Sequence, residues 1–369
     1  MRSDWAIEGI RNQNVLEREF PMKVWTVVCA IVISAVTIAG AAAAADNAGM
    51  RQIVATSKER GNDLEVTVWY PARSGGEPVV LGENAFFVGT SAMRDAPIAD
   101  GKFPLILLSH GAGLAGTPHA VSWIAAPLAR QGFVVAAPMH PGNSGKNRSA
   151  AETMKIWLRP GDLSETLNAM ESDPFFGTHL DHGKVGALGL SLGGNTALAL
   201  AGARIDPELL AGYCDTDALN HSLCEWVRQS GVDLHKMDLK SAGRDNKDGR
   251  IRFAMAIDPA PVDVFDTSSF SGISVPVDLV NLGQPGKIPQ TADAAEVSEG
   301  IPKVRYSMID ASHYSMFAEC KPGAADLAVA EQIGDPICSD GEGQSRGGIH
   351  AQLVDITTAS FSRALKEAP

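Results

Sequence analysis

Between residues 185 and 203 the chain runs from the apolar Val185 to Leu188 into Gly189-Leu190-Ser191-Leu192-Gly193-Gly194, and then into an Ala/Leu-rich stretch from Asn195 to Ala203. A strand-forming run passes straight into a helix-forming one, so the chain must turn sharply across Gly-x-Ser-x-Gly. Small residues on either side keep neighbouring backbone from colliding, and the serine at the apex takes a strained conformation. Its hydroxyl then sits at a helix N-terminus, where a histidine can take its proton and backbone N–H groups can meet an oxyanion. The pentapeptide alone also fits a tight connection with a capping serine; its strand–turn–helix context favours a nucleophile.

Other apolar runs place this turn in a sheet. Phe103 to Leu108, Phe133 to Ala137, Ile251 to Ile257, Val275 to Val280 and Val304 to Ile309 read, with Val185 to Leu188, as six strands buried on both faces. A helical stretch from about Val121 to Arg130 joins the first two into a βαβ unit, and an amphipathic helix over Gln352 to Leu365 closes the chain. Leu64 to Tyr70 alternates apolar and polar, as a half-buried antiparallel edge strand does, and residues 72–102 read as turn-rich surface connection with short strands. The expected fold is α/β: a doubly wound, mostly parallel sheet with an antiparallel N-terminal edge. Ligands of such sheets bind at the carboxyl ends of the strands.

Those ends carry the chemistry. Ser109-His110-Gly111-Ala112-Gly113 follows the first parallel strand, Ser191 the third, Asp258 the fourth, and Asp310-Ala311-Ser312-His313-Tyr314 the sixth. Serine is a poor nucleophile at neutral pH, so His313 would accept its proton and return it to the leaving group, with Asp258 orienting the ring. The backbone N–H groups of Ala112 and Leu192 are the candidate oxyanion donors. Asp310 and Asp263 are rival acids. The loop after the fifth strand, 281–286, carries an aspartate in many hydrolases and has none here, which favours Asp258. His110, His140 and Tyr314 are candidate pocket residues, although His110 also reads as shaping the oxyanion loop and His140 as a loop hydrogen-bonder.

Leu108 to Gly113, Gly189 to Gly194, the aspartate after the strand next to the elbow strand, Val68-Trp69-Tyr70-Pro71 and Ser312-His313-Tyr314 together resemble an exported bacterial group described as predicted dienelactone hydrolases, similar to platelet-activating-factor acetylhydrolases of the α/β-hydrolase superfamily. The resemblance spans roughly residues 50 to 365. It implies cofactor-free hydrolysis of carboxylic esters of esterase, lipase or acetylhydrolase type, and supports Asp258, Ala112 and Leu192 in the roles above. Dienelactone hydrolases use a cysteine nucleophile; serine at position 191 leaves lactones unsupported as substrates. The same triad would serve an amidase, peptidase or lactonase, and a hydrolase-fold binding protein is the non-enzymatic alternative.

Residues 1–45 end in an apolar run after Met22-Lys23 that tails into Ala41 to Ala45, a secretory signal peptide by pattern, with Met22 the expected start and an uncleaved anchor the alternative. Export to the periplasm or medium is expected, with no stable membrane span after cleavage. Cys29 falls in that leader, which leaves Cys214, Cys224, Cys320 and Cys338; closeness in sequence favours Cys214–Cys224 and Cys320–Cys338. No Cys/His spacing suggests a metal site, and no cofactor is expected. A net charge of −12 without a Lys/Arg cluster argues against nucleic acid as partner and leaves a small ester as the expected ligand. The body is one domain over 46–369, interrupted at about 205–250 by an insertion with Trp226 that reads as a small cap or a decorated loop.

Overall fold

The computed structural model describes residues 47–143 and 147–367. The expected leader and Cys29 lie outside the described residues. The strands are β1 (Asn47–Ser57), β2 (Asn62–Ala72), β3 (Glu77–Leu81), β4 (Thr90–Arg94), β5 (Phe103–Ser109), β6 (Val134–Pro138), β7 (Leu180–Leu190), β8 (Arg204–Ile205), β9 (Ile251–Ile257), β10 (Phe265–Asp266), β11 (Val277–Leu282) and β12 (Val304–Ile309). The α-helices are α1 (Ser122–Arg130), α2 (Ala150–Thr153), α3 (Arg159–Ser172), α4 (Leu192–Ala201), α5 (Pro207–Gly212), α6 (His221–Gln229), α7 (Ala295–Gly300), α8 (Ala324–Ala330) and α9 (Arg346–Phe361).

Ten strands form one sheet in the order β12-β11-β9-β7-β5-β6-β2-β1-β4-β3. From β12 to β6 every pairing is parallel. Beyond β6 the pairings to β2 and β1 are antiparallel. In β5, Ile106 and Leu108 pack into the cluster built on α1 and α9, whereas Leu105 and Leu107 join the cluster on α3 and α4. Helices thus cover both faces, which is why these strands read as unbroken apolar runs. Each such side chain, fully buried, contributes about 1.5–3 kcal/mol relative to exposure.

The antiparallel side is wider than the sequence pattern implies. Leu64 to Tyr70 does not lie at an edge: β2 is flanked by β1 and β6, and Val66 to Ala72 are buried. Trp69 faces one core cluster and Val66, Val68 and Tyr70 another; Thr67 is covered too, while Glu65 stays exposed. The segment 72–102 supplies β3 and β4, and β3 is the outermost strand. The final helix begins at Arg346, several residues before the amphipathic pattern marks it.

The insertion divides in two. Its first part holds α5 and α6, joined by the Cys214–Cys224 disulfide, and its start is stapled to the core where β8 pairs with β10. Cys224 and Val227 of α6 bury into the cluster that contains Leu192, Met154 and Trp157, and α6 packs against α2. The polar tail returns elsewhere: Arg244 pairs with Glu59 and with Asn246, and Asp248 accepts from Ser164 of α3 at 2.9 Å. Both parts reach α4: the first through the cluster around Leu192 and Leu198, the tail through the Asp248 N–H, which donates to Leu200 O at 3.1 Å. Among the described residues no helix is long and apolar enough to cross a membrane.

Candidate active site

Ser191 stands between β7 and α4 with φ 52° and ψ −119°, a left-handed conformation that costs a non-glycine residue about 1–3 kcal/mol. Backbone bonds hold it there. Its N–H donates to Ile257 O of β9 at 3.0 Å, and its carbonyl accepts from Gly194 and Ala260 at 2.7 and 3.1 Å. Glycine at 189 and 193 is a steric requirement: a Cβ would lie 1.8 Å from Gly193 O in the first case and from Ser109 O in the second.

Asp258 repeats the device at the end of β9, with φ 46° and its N–H bound to Val280 O of β11 at 2.7 Å. Its carboxylate is fully buried and spans two sets of partners. Oδ2 lies 2.5 Å from His313 Nδ1, and Oδ1 accepts from Asn281 Nδ2 at 2.7 Å and the Leu282 N–H at 2.9 Å. Three donors around one buried carboxylate offset its desolvation. His313 Nε2 lies 3.3 Å from Ser191 Oγ, and its side chain is 22% exposed. With an ionised Asp258, Nδ1 carries the proton and Nε2 faces the serine as acceptor.

The sequence pattern places Asn281 in the loop after the fifth strand and gives it no role. It lies within β11, where Nδ2 also donates to Ala292 O (2.7 Å) and Oδ1 accepts from the Ala294 N–H (2.9 Å) and the Tyr306 hydroxyl (3.1 Å). A polar residue inside a buried strand has to be satisfied in this way, and that was the available signal. The rival acids are elsewhere: Asp310 is exposed and bonds Gln284 and Gln344, and neither it nor Asp263 bonds His313.

The turn bearing His313 is held from below. His350 of α9 donates from Nε2 to Ser315 O and Phe317 O at 2.9 and 3.0 Å, and its ring stacks on Trp123 at 3.7 Å. Trp123 Nε1 donates to Met316 O at 2.9 Å, and Arg346 binds Asp340 and the Ala318 carbonyl. Tyr314 stands edge-on to His313 with its hydroxyl on Asp335, and the Cys320–Cys338 disulfide closes the segment that follows. Removing that crosslink with Cys320→Ala and Cys338→Ala is expected to lower unfolding stability by about 3 kcal/mol, the entropy of an 18-residue loop, with urea unfolding as the measurement.

Burial pushes the His350 ring down to about 4, and burial likewise pushes His110 and His140 well below the ordinary histidine range. The unfolded chain then binds more protons than the folded one between about 4 and 6.5, so stability is complete above pH 6.5 and is lost as pH falls through that window. His350 alone predicts a loss of about 2–3 kcal/mol between pH 7 and pH 4.5. Urea midpoints at the two values measure it, and a midpoint independent of pH would contradict it.

His110 and His140 do not line a pocket. Both are buried, His110 with Nδ1 on Gly111 O at 2.9 Å and His140 between Ser109 and Asp162. The start of α3 meets them there: Arg159 Nη2 donates to His110 O, and Asp162 Oδ2 lies 2.8 Å from His140 Nδ1. The adjoining Ala112 is partly exposed, and Gly111 packs on Ser191: a Cβ there would sit 3.5 Å from Ser191 Cβ. Leu192, the other expected oxyanion donor, opens α4, whose first N–H groups lack helical acceptors. Among the described residues no group of three His, Cys, Asp or Glu side chains is placed to hold a metal ion.

A family model described as platelet-activating factor acetylhydrolase, isoform II, matches residues 81–169, a segment that carries the His110 loop but not Ser191, Asp258 or His313. No curated protein sequence matches the chain. Among solved structures, a ferulic acid esterase from Streptomyces cinnamoneus superposes with a TM-score of 0.56 at 19% identity, covering 88% of this chain and 91% of that one. Strand order, the Ser191 turn and this superposition agree: the chain has the α/β-hydrolase fold.

Proposed function

We propose that the protein is a serine hydrolase of carboxylic esters. The observation that carries this reading is the continuous chain from Ser191 Oγ through His313 to the buried Asp258, with the serine held at positive φ at a helix N-terminus. Ser191 Oγ attacks the ester carbonyl while its proton passes to His313 Nε2. The Ala112 and Leu192 N–H groups receive the oxyanion. The bond to the alcohol then breaks, His313 protonates the departing oxygen, and a water deprotonated by His313 releases the acid from the acyl-enzyme. Asp258 stays ionised throughout and stabilises the imidazolium. Every proton has a place to go within the three side chains.

The match to the acetylhydrolase model and the superposition on an esterase support an ester over other acyl substrates. The insertion, whose Trp226 ring carries the Arg148 guanidinium 4.7 Å from its centre, would set acyl preference from beside the site. Two disulfides fit an oxidising compartment, which supports export.

The test is labelling by a fluorophosphonate probe, combined with hydrolysis of p-nitrophenyl esters of increasing chain length. Label confined to Ser191, with turnover of at least one ester, is the expected result. A folded protein that neither labels nor turns over any ester would sink the reading. A Trp226→Ala profile identical to wild type would remove the insertion's role without touching the chemistry.

A further inference from the structure

A second serine–histidine–aspartate chain lies next to the first. Ser109 Oγ, at the end of β5, lies 3.0 Å from His140 Nε2, and His140 Nδ1 lies 2.8 Å from Asp162 Oδ2 in the first turn of α3. Arg60 clamps Asp162 with Nε at 3.0 Å and Nη2 at 2.7 Å. Ser109, His140 and Asp162 are 0%, 1% and 1% exposed, so no ester can reach this serine and the chain is no second hydrolytic centre.

What it does touch is the loop leading to Ala112. The His140 N–H donates to His110 Nε2 at 3.3 Å, Arg159 Nη2 donates to His110 O at 2.5 Å, and His110 Nδ1 donates to Gly111 O. Residues 109, 110 and 111 are each gripped by a buried polar group, and the next N–H in the chain is that of Ala112. Ser109 O also packs on Gly193 of the elbow. Two arginines, an aspartate and two imidazoles are costly to bury, and well-packed apolar residues would serve stability equally well. What such a network gives is one fixed arrangement.

We propose that Arg60, Asp162, His140, Ser109 and Arg159 form a positioning frame that holds the Ala112 N–H where the oxyanion develops. The kinetic part rests on Ser191 being the nucleophile. An oxyanion donor acts only within about 2.7–3.1 Å of the developing charge, and a 1 Å displacement costs about 10² in rate. His140 and Asp162 are thus positioning residues that touch no substrate.

Ser109→Ala and Asp162→Asn test the frame through two readouts. Amide hydrogen exchange across residues 108–115 is expected to speed up by about tenfold or more in each folded variant. Turnover of an ester is expected to drop by about 10²-fold at nearly unchanged KM. Turnover of the matching thionoester should drop far less, because sulfur accepts the Ala112 hydrogen bond weakly. Ser109→Ala removes one oxygen atom and serves if Asp162→Asn does not fold. Unchanged exchange across the loop would overturn the proposal, as would equal losses on ester and thionoester. A wild-type protein inert to esters would end the esterase reading alone, and loop exchange would still decide the frame.

Discussion

Ser191→Ala is expected to reduce ester turnover by about 10⁴- to 10⁶-fold and to abolish fluorophosphonate labelling, with the fold intact. Alanine fits the site without strain beyond that already present, because the four backbone bonds of residue 191 involve no side-chain atom. The loss should appear in kcat, since the hydroxyl forms its bond to substrate only on the way to the acyl-enzyme. Circular dichroism and unfolding midpoints close to wild type would separate loss of the nucleophile from loss of the structure. Turnover within about tenfold of wild type would mean that another group attacks, contrary to the nucleophile assignment.

Asp258→Asn should be nearly as damaging, at about 10⁴-fold in kcat near neutral pH. Asn281 Nδ2 and the Leu282 N–H both donate to Oδ1, so an asparagine at 258 must turn its carbonyl oxygen toward them. Its NH₂ then faces His313 Nδ1, which can only accept. The proton moves to Nε2, and the ring offers Ser191 a donor where an acceptor is required. The neighbourhood of Asp258 thus enforces the wrong tautomer. Asn281→Leu combined with Asp258→Asn would leave the amide freer to rotate, and the double variant is expected to lose less than the product of the two single losses. Strict multiplication of the two effects would argue that Asn281 does not orient the acid.

The buried strands were plain in the sequence because helices on both faces demand continuous apolar runs, and β9 begins and ends where its run does; β12 has the expected bounds but is an edge strand in which only Ile309 is buried, so Val304 to Ile309 is not the two-faced buried strand its pattern suggests. The placement of Ser191 and Asp258 directly after β7 and β9, and of His313 four residues beyond the end of β12, was also readable from where the apolar runs stop. The antiparallel side was harder. β2 alternates in sequence because its polar positions are threonine and glutamate, yet its Thr67 is buried on the face that α1 packs against, and nothing local records that a helix covers it. Networks that join distant residues leave still less trace. Arg60 and Asp162 are separated by 102 residues, and His140 looked like a pocket residue until its partners appeared on β5 and α3. Periodicity encodes what faces a core and is silent about which polar groups meet inside one.

The two strained residues share a dependence that bears on when the protein becomes reactive. Ser191 is pinned by a carbonyl of β9, and Asp258 by a carbonyl of β11. These bonds exist only once β7, β9 and β11 have zipped together, and His313 arrives only with β12 beside them. Under the proposed mechanism, a nascent or partly unfolded chain carries an ordinary serine, harmless to surrounding esters. Reactivity toward a fluorophosphonate becomes a gauge of completed assembly, readable in a mixture where bulk spectroscopy would average finished and unfinished molecules.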